Sequence, residues 1–503
     1  MAKKDFMIQF TQGMSQGLST YSDDVQMVNY FPISTPNERS KAQLIDIAGS
    51  TITKVITPDS GTGCRGMWVA STGAPSTGYI STLYAVWGNT LYRINKSGNA
   101  IRLGNLNSKI NIVTFAENQD QTATETRGFV CDGTTVFQWD LKAEDANVAA
   151  TFVEIASLPD VLGDDRAIAK YISYNTYRLI LTAENAIQWF YTKPNDVEWA
   201  GFESSESNPD KTVRAISFGG NIWVFSNYSY DIFSYTGSAD DPYDVASGAT
   251  GKIGCSNGDT LAIHGDFMFW MGQGDTSNDS VYMATVGGAI AEITTPGIKN
   301  IIRQWNYKNN TRGFAFSDRG HTFYVLTSKN DKYSLAYCVE TKQWHRRSSS
   351  TNGILNYWDV ITVVNAYGKL YFGTNDSNRL CEFNFESIVD HNGYPITRYW
   401  QSPVIIENLD MLKILEMKLD VECGTVKSVT GKPEVFVQLS FNGGKTWGER
   451  MLRSLGKSGD YTRQVALYGG GAGRNLVMRI GTSADIPVTL YQCRLVYEGA
   501  NRT

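Results

Sequence analysis

A tight-turn dipeptide followed by a short aromatic-rich run recurs from residue 87 to residue 373, and this repeat limits the fold more than any other feature of the chain. The copies are Trp87-Gly88 before Thr90–Ile94, Asp132-Gly133 before Val136–Trp139, and Tyr174-Asn175 before Tyr177–Leu181. Gly219-Gly220 then precedes Ile222–Phe225, His264-Gly265 precedes Phe267–Trp270, Arg319-Gly320 precedes Phe323–Leu326, and Tyr367-Gly368 precedes Leu370–Phe372. Counted at positions 88, 133, 175, 220, 265, 320 and 368, the gaps are 45, 42, 45, 45, 55 and 48 residues. A period of about 40–50 residues with glycine turns and aromatic strands is that of propeller blades, each a small sheet that buries its faces against its neighbours. The phrases predict a β-propeller of six or seven blades over residues 56–394, since two phrases can share a blade. Ring closure makes a rigid annulus. The 55-residue gap marks an insertion, read as a loop on one face.

The flanks follow other rules. Residues 1–55 precede the repeats and read as an N-terminal extended arm, with Gly13, Gly17 and a polar Ser19–Asp24 stretch. After Pro395 the period is lost, and residues 395–503 form a separate unit. Its strand-like runs are Leu415–Val421, Val435–Phe441, Leu476–Gly481 and Val488–Tyr497. Strict alternation in the first and last predicts a C-terminal β-sandwich. Helical periodicity is scarce, with Ile405–Leu415 and Pro159–Ala169 as short candidates. The chain reads as all-β.

Composition removes several function classes. At 503 residues the chain exceeds one ordinary core. No stretch of about 18 apolar residues is present to span a membrane. Met1–Phe10 carries two lysines with no apolar run behind them, so no secretory signal is expected and sequons such as Asn227-Tyr228-Ser229 read as loops. Seven cysteines stand singly without a Cys-x-x-Cys, which fits folding in a reducing cytoplasm. The four histidines, 264, 321, 345 and 391, lie near no cysteine pair, so neither zinc nor any other cofactor is expected. A net charge of -5 with dispersed basic residues argues against holding nucleic acid by phosphate neutralisation. It is compatible with a conduit that nucleic acid passes through.

The sharpest local motif is Ser440-Phe441-Asn442-Gly443-Gly444-Lys445-Thr446-Trp447. It resembles the Asp-box of sialidase propellers, with Asn442 in place of the aspartate. Ser440, Asn442, Gly444, Thr446 and Trp447 read as a structural hairpin, with Asn442 and the glycines at positive φ and Trp447 buried on the next strand. Gly444-Lys445-Thr446 is not a phosphate loop, because position 439 is Leu and no helix follows. Gly469–Arg474 lacks a following helix as well and reads as a flexible connection. Asp164-Asp165 and Asp240-Asp241 read as solvated pairs, and Trp344-His345-Arg346-Arg347 as an exposed strand end or a basic contact to a partner or DNA. Tyr228, Tyr230, Tyr235 and Tyr243 cluster around loops and are candidate interface residues. No residue set carries catalytic chemistry, and the chain reads as a non-enzyme.

Two stretches together resemble a family. The first is Asn29-Tyr30-Phe31-Pro32 with Leu44–Gly49; the second runs from Leu439 through Trp447, Leu455–Arg463, Gly473–Asn475 and Val477–Ile480 to Ile486–Cys493. Their order is similar to that of the packaged-DNA stabilisation proteins, the tail-nozzle or tail-accessory proteins of short-tailed bacteriophages. Ala48-Gly49 stands where that family usually has Pro-Gly. The resemblance implies a structural virion protein of the tail, assembled in the host cytoplasm as a homohexamer. It would continue the DNA channel below the portal and its adaptor ring, letting DNA pass without specific binding. Its other partners would be a plug or needle and tail fibres or tailspikes. The competing expectation, from the Asp-box likeness, is a propeller that binds or hydrolyses host-surface glycan; a receptor-binding propeller using the tyrosine loops is a third.

Overall fold

The computed structural model describes residues 3–17, 24–34, 42–72, 81–118, 126–161, 166–205, 210–273, 280–306, 310–329, 331, 334–351, 354–407, 410–424 and 433–500. Among them, seven antiparallel blades follow one another along the chain. Their first strands are Cys64–Ala70, Thr114–Glu117, Ala169–Asn175, Thr212–Phe218, Ala262–His264, Thr311–Asp318 and Val360–Ala366. These strands pack beside one another around the axis, except that blade 4 meets blade 5 through Asn221–Ser226 and Gly254–Cys255. Each blade contains one of the seven turn phrases. The turn joins the first two strands in blades 3–7 and the second and third in blades 1 and 2. Tyr367 (φ 55) and Gly368 (φ 77) make the two positive-φ positions that match hairpin twist. In blade 3 those positions fall at Thr176 and Tyr177, so Tyr177 belongs to the turn and the strand starts at Arg178. Buried tryptophans mark the blades: Trp87, Trp139, Trp189, Trp223, Trp270 and Trp344, with Trp358 just ahead of blade 7.

Closure of the ring depends on the N-terminal segment. Gly49–Val55 is the fourth strand of blade 7, paired from Arg379↔Val55 to Asn384↔Gly49, and the chain then enters blade 1 at Cys64. Ile56, Cys64 and Met67 share one apolar cluster with Tyr371 and Leu380 across this seam. Gly63 sits at the seam with φ +82, donates its N–H to Asn378 Oδ1 at 2.8 Å, and would put a Cβ 1.9 Å from the Asn375 carbonyl oxygen. A methyl cannot be accommodated there without moving backbone. Gly63→Ala is expected to cost more than about 2 kcal/mol by both strain and clash, read as a lowered midpoint in urea with an unchanged slope.

The rest of the N-terminal segment builds the sandwich. Lys4–Gln9 pairs with Leu490–Ala500, and Tyr30–Ser34 with Ala42–Asp46 extends the same sheet beside Met411–Val421 and Val465–Gly473. The facing sheet holds Arg398–Gln401, Val477–Thr482, Glu434–Ser440 and Met451–Ser454. Between them lies a core that includes Phe10, Met27 and Leu44 together with Trp400, Met417, Val437 and Leu495. Asp24–Val28 bonds to Arg398–Gln401 on one side and, in parallel, to Gln343–Arg347 of blade 6 on the other. One sheet therefore runs from propeller into sandwich. This overturns the surface reading of Trp344-His345-Arg346-Arg347: Trp344, His345 and Arg347 are buried, and Arg347 lies over the rings of Phe316, Phe323 and Trp358 at 4.7–5.1 Å. The strand is covered because a partner from 300 residues upstream continues its sheet.

Both helix candidates are also corrected. Met411–Val421 is a strand and 405 an isolated bridge; 166 is a bridge and Ala169–Asn175 a strand. Sheet pairing overrides the weak local helical pattern at Met411–Val421, while 162–165 of the other candidate lie outside the described residues. Among the described residues the α-helix is instead Pro296–Arg303, inside the 55-residue gap that read as a loop. Thr295 caps it, Pro296 opens it, and Ile298, Ile301 and Ile302 bury one face at i, i+3 and i+4.

A buried polar joint fixes the two parts to each other. Asn29 has φ 55, donates its side-chain amide to Ser348 and Thr397 carbonyls at 2.9 Å each, and accepts the Ser348 N–H at 2.8 Å. Asp46 pairs with Arg398 Nε at 2.5 Å and accepts the Val488 N–H at 2.5 Å. Arg398 also donates to the Ile396, Ala484 and Ile486 carbonyls, while Arg319 of blade 6 donates to the Asp46 carbonyl. Phe31 packs edge-on against Phe323 of blade 6. Asn29-Tyr30-Phe31 thus serves blade, joint and sandwich in three consecutive residues.

Candidate functional site

The Asp-box-like hairpin closes by its own side chains. Asn442 Oδ1 accepts the Thr446 N–H at 2.9 Å, and its amide donates to Thr446 Oγ1 at 2.7 Å. Ser440 Oγ donates to Asn442 Oδ1 and accepts the Gly444 N–H, both at 2.9 Å. Gly443 and Gly444 carry the positive φ values, whereas Asn442, expected among them, is not in that region. Trp447 is half-buried, and its outer face is covered by the Arg479 guanidinium at 3.8 Å rather than by the next strand. Arg479 is held in turn by Gln401 at 2.9 Å. The loop is a staple on the sandwich. Asn442→Ala removes the acceptor and donor together and is expected to cost about 1–2 kcal/mol. Asn442→Asp should stay within about 0.5 kcal/mol, because the Thr446 hydroxyl can turn to donate; thermal melts of both variants test the pair.

A cavity of ≈ 520 Å³ opens beside this hairpin, and Glu449 is the one carboxylate among its lining residues. Glycoside hydrolysis needs two carboxyl groups across the bond. Asp240 and Asp241 are exposed, and Asp164-Asp165 lie outside the described residues. Among the described residues no His/Cys/Asp/Glu group is arranged to hold a metal. All seven cysteines are buried and free, and burial pushes thiols such as Cys131 up to about 12, away from reactivity.

The tyrosine cluster separates by exposure. Tyr228 and Tyr235 are 44% and 42% exposed on blade 4. Tyr230 is half-buried against Trp223, and Tyr243 is 2% exposed, its ring edge-on to Trp189 and Tyr191 and its hydroxyl donating to the Asn175 carbonyl. Only the first two can reach a partner with much of their ring. Sequence position alone could not separate them, since strand alternation is broken by an irregularity between Asp231 and Phe233.

The propeller axis is narrow. One end is a polar cavity of ≈ 440 Å³, which reaches Lys170, Asp259, Arg312 and Asn375 on four blades. The other is an apolar cavity of ≈ 480 Å³ between Met67, Ile263, Phe314 and Val363. Spaces of this size suit small molecules and not a duplex. Among the described residues no helix is long and apolar enough to cross a membrane.

Comparison with known proteins matches both parts. A family described as "Bacteriophage P22 Gp10, beta-propeller" matches residues 7–388, and one described as "Bacteriophage P22 Gp10, beta-sandwich" matches residues 398–498. No curated protein matches the chain. Solved structures similar to it include the N-terminal domain of Nup159, at 9% identity over 71% of this chain and 98% of that one, with a TM-score of 0.39. The Neurospora crassa Pan2 WD40 domain is similar at 8% identity over 74% of this chain and 89% of that one, with a TM-score of 0.29.

Proposed function

The chain belongs to the bacteriophage P22 Gp10 family, the tail nozzle and stabilisation proteins of short-tailed phages, and on that premise we propose that six copies form a ring below the portal adaptor. It is a structural protein of the virion tail. The observation that carries this reading is the family match across both propeller and sandwich, from residue 7 to residue 498. The glycan reading is not favoured, because the hairpin that motivated it is a closed staple beside a single carboxylate. The proposed role needs no catalysis.

In this proposal each copy assembles in the host cytoplasm and joins a ring whose shared central space continues the DNA channel. The ring has one heterologous interface repeated six times. One rigid body per copy suits such a ring, and the sheet shared between blade 6 and the sandwich supports that rigidity. We assign Tyr228 and Tyr235 to a virion interface, with a neighbouring copy, the adaptor, or a fibre, spike or plug protein as partner. Exposed tyrosines flanked by Asp240 and Asp241 on the same blade suit a partner of basic character.

Particles assembled without this chain test the role. They are expected to lose packaged DNA and to lack the lower tail in electron micrographs. DNA-filled particles with complete tails would overturn it. The double change Tyr228→Ala, Tyr235→Ala should leave the melting temperature within a few degrees while reducing incorporation into particles.

A further inference from the structure

The polar mouth of the propeller axis has a cation that the fold itself does not use. Arg312 lies on the first strand of blade 6, next to residues whose side chains build the apolar half of the axis. It lines one cavity with Lys170 of blade 3, Asp259 of blade 5 and Asn375 of blade 7, which places it where several blades converge. It makes no hydrogen bond among the described residues, and its Nη1 is shielded from solvent. Two fully buried arginines nearby behave differently. Arg65 donates to the Asn111, Gly88, Ser108 and Asp132 carbonyls, and Arg214 donates to the Gly258 and Leu261 carbonyls while lying over Tyr171. Those two are structural; Arg312, half-buried at the edge of the cavity, has no such partners among the described residues.

The neighbours decide the sign of the ligand. Asp259 is the one carboxylate among the lining residues; it accepts the Tyr171 hydroxyl at 2.7 Å and is balanced by Arg214. Lys170 and Lys329 line the same space. Lys329 is tied to Asp376 at 2.5 Å, but Lys170 reaches Glu184 only at 3.4 Å, with both side chains partly exposed. Amides of Asn111 and Asn375 add neutral donors. The mouth thus has surplus positive charge, planar N–H donors in low dielectric, and a volume of ≈ 440 Å³. A guanidinium in such a place binds an oxyanion through paired, charge-assisted hydrogen bonds.

We propose that this mouth is a binding site for a small oxyanion of the phosphate class, held by Arg312 with Lys170 beside it. Inorganic phosphate and a nucleotide's phosphate share that chemistry. Binding at the axis would tie blades 3 and 6 together, and the folded chain would be stabilised increasingly as ligand concentration rises above its Kd.

The test is a heat-unfolding titration of the full chain with sodium phosphate against sodium chloride at equal ionic strength and pH. A saturable rise in melting temperature with phosphate is expected. Its half-saturation concentration should increase about tenfold in Lys170→Met, and the rise should vanish in Arg312→Met. Lys193→Met, exposed in a blade 3 loop, should leave the titration unchanged. Titration with dAMP separates the sources: tighter half-saturation than phosphate assigns the site to nucleotide phosphate, and equal or weaker binding assigns it to the free ion. No saturable rise in the unchanged chain, or an equal rise in Arg312→Met, overturns the proposal. If Arg312→Met does not fold, phosphorus-31 line broadening on the unchanged chain decides: broadening reversed by excess sulfate supports the site, and its absence overturns it.

Discussion

A chain that begins at residue 56 is expected to fail to fold, although it retains all seven turn phrases and the whole C-terminal unit. Removal of 1–55 takes the fourth strand from blade 7, leaving Arg379–Asn384 as an open edge at the seam of the ring. It also takes Lys4–Gln9, Asp24–Val28, Tyr30–Ser34 and Ala42–Asp46 from the sandwich sheets, and with them Phe10, Met27, Tyr30 and Leu44 from the core. Each of those side chains contributes about 1.5–3 kcal/mol on burial, so their loss alone is comparable to the whole stability of an ordinary domain. New sheet edges add an aggregation route. The expected outcome is insoluble product or a chain without a cooperative thermal transition. Supplying residues 1–55 as a separate polypeptide during refolding should recover part of the soluble material. A soluble, cooperatively melting 56–503 fragment would show that the N-terminal segment is an appendage.

The second large effect is at the buried joint. Arg398→Met is expected to cost about 3–5 kcal/mol at neutral pH, because the Asp46 carboxylate is then buried without its cation. The effect should depend on pH in a definite direction. Burial, opposed by Arg398, already raises Asp46 from 3.8 to about 6. The folded chain therefore binds a proton that the unfolded chain lacks between about pH 4 and 6. Below pH about 4 both states are protonated and the neutral group carries no penalty. As pH rises through the folded pKa, the buried carboxylate becomes charged and stability from this group falls by about 3 kcal/mol. Without Arg398 the folded pKa rises further, so the cost of Arg398→Met should shrink steadily on acidification. Urea midpoints of the unchanged chain and the variant at pH 5 and pH 8 measure this. Equal cost at the two pH values would mean that Asp46 is not the group left unpaired.

Much of the architecture was legible because a propeller repeats. The positive-φ turn at Tyr367-Gly368 and the aromatic strand behind it are local events, and local events print on sequence. What the sequence concealed was pairing over long range. Nothing in Gly49–Val55 says that it bonds to Arg379–Asn384, and nothing in Trp344–Arg347 says that Asp24–Val28 lies over it. The Pro296–Arg303 helix did have a signal, a Thr-Pro start and isoleucines at helical spacing, hidden by the expectation of a loop. For the candidate site, the hairpin's residue types were readable, but the Arg479 cover on Trp447 comes from a strand 32 residues away. Tyr243 and Tyr228 look alike in sequence and differ because one ring faces Trp189 and the other faces solvent. The cation at Arg312 had no sequence signature, since only the packing of the blades brings Lys170, Asp259, Arg312 and Asn375 to one cavity.

The most direct test of the proposed nozzle role is the native mass and negative-stain image of the purified chain, alone and with a portal adaptor ring. A six-fold annulus with a central opening, formed alone or on the adaptor, is the expected result. A monomer that ignores the adaptor in both conditions would contradict it.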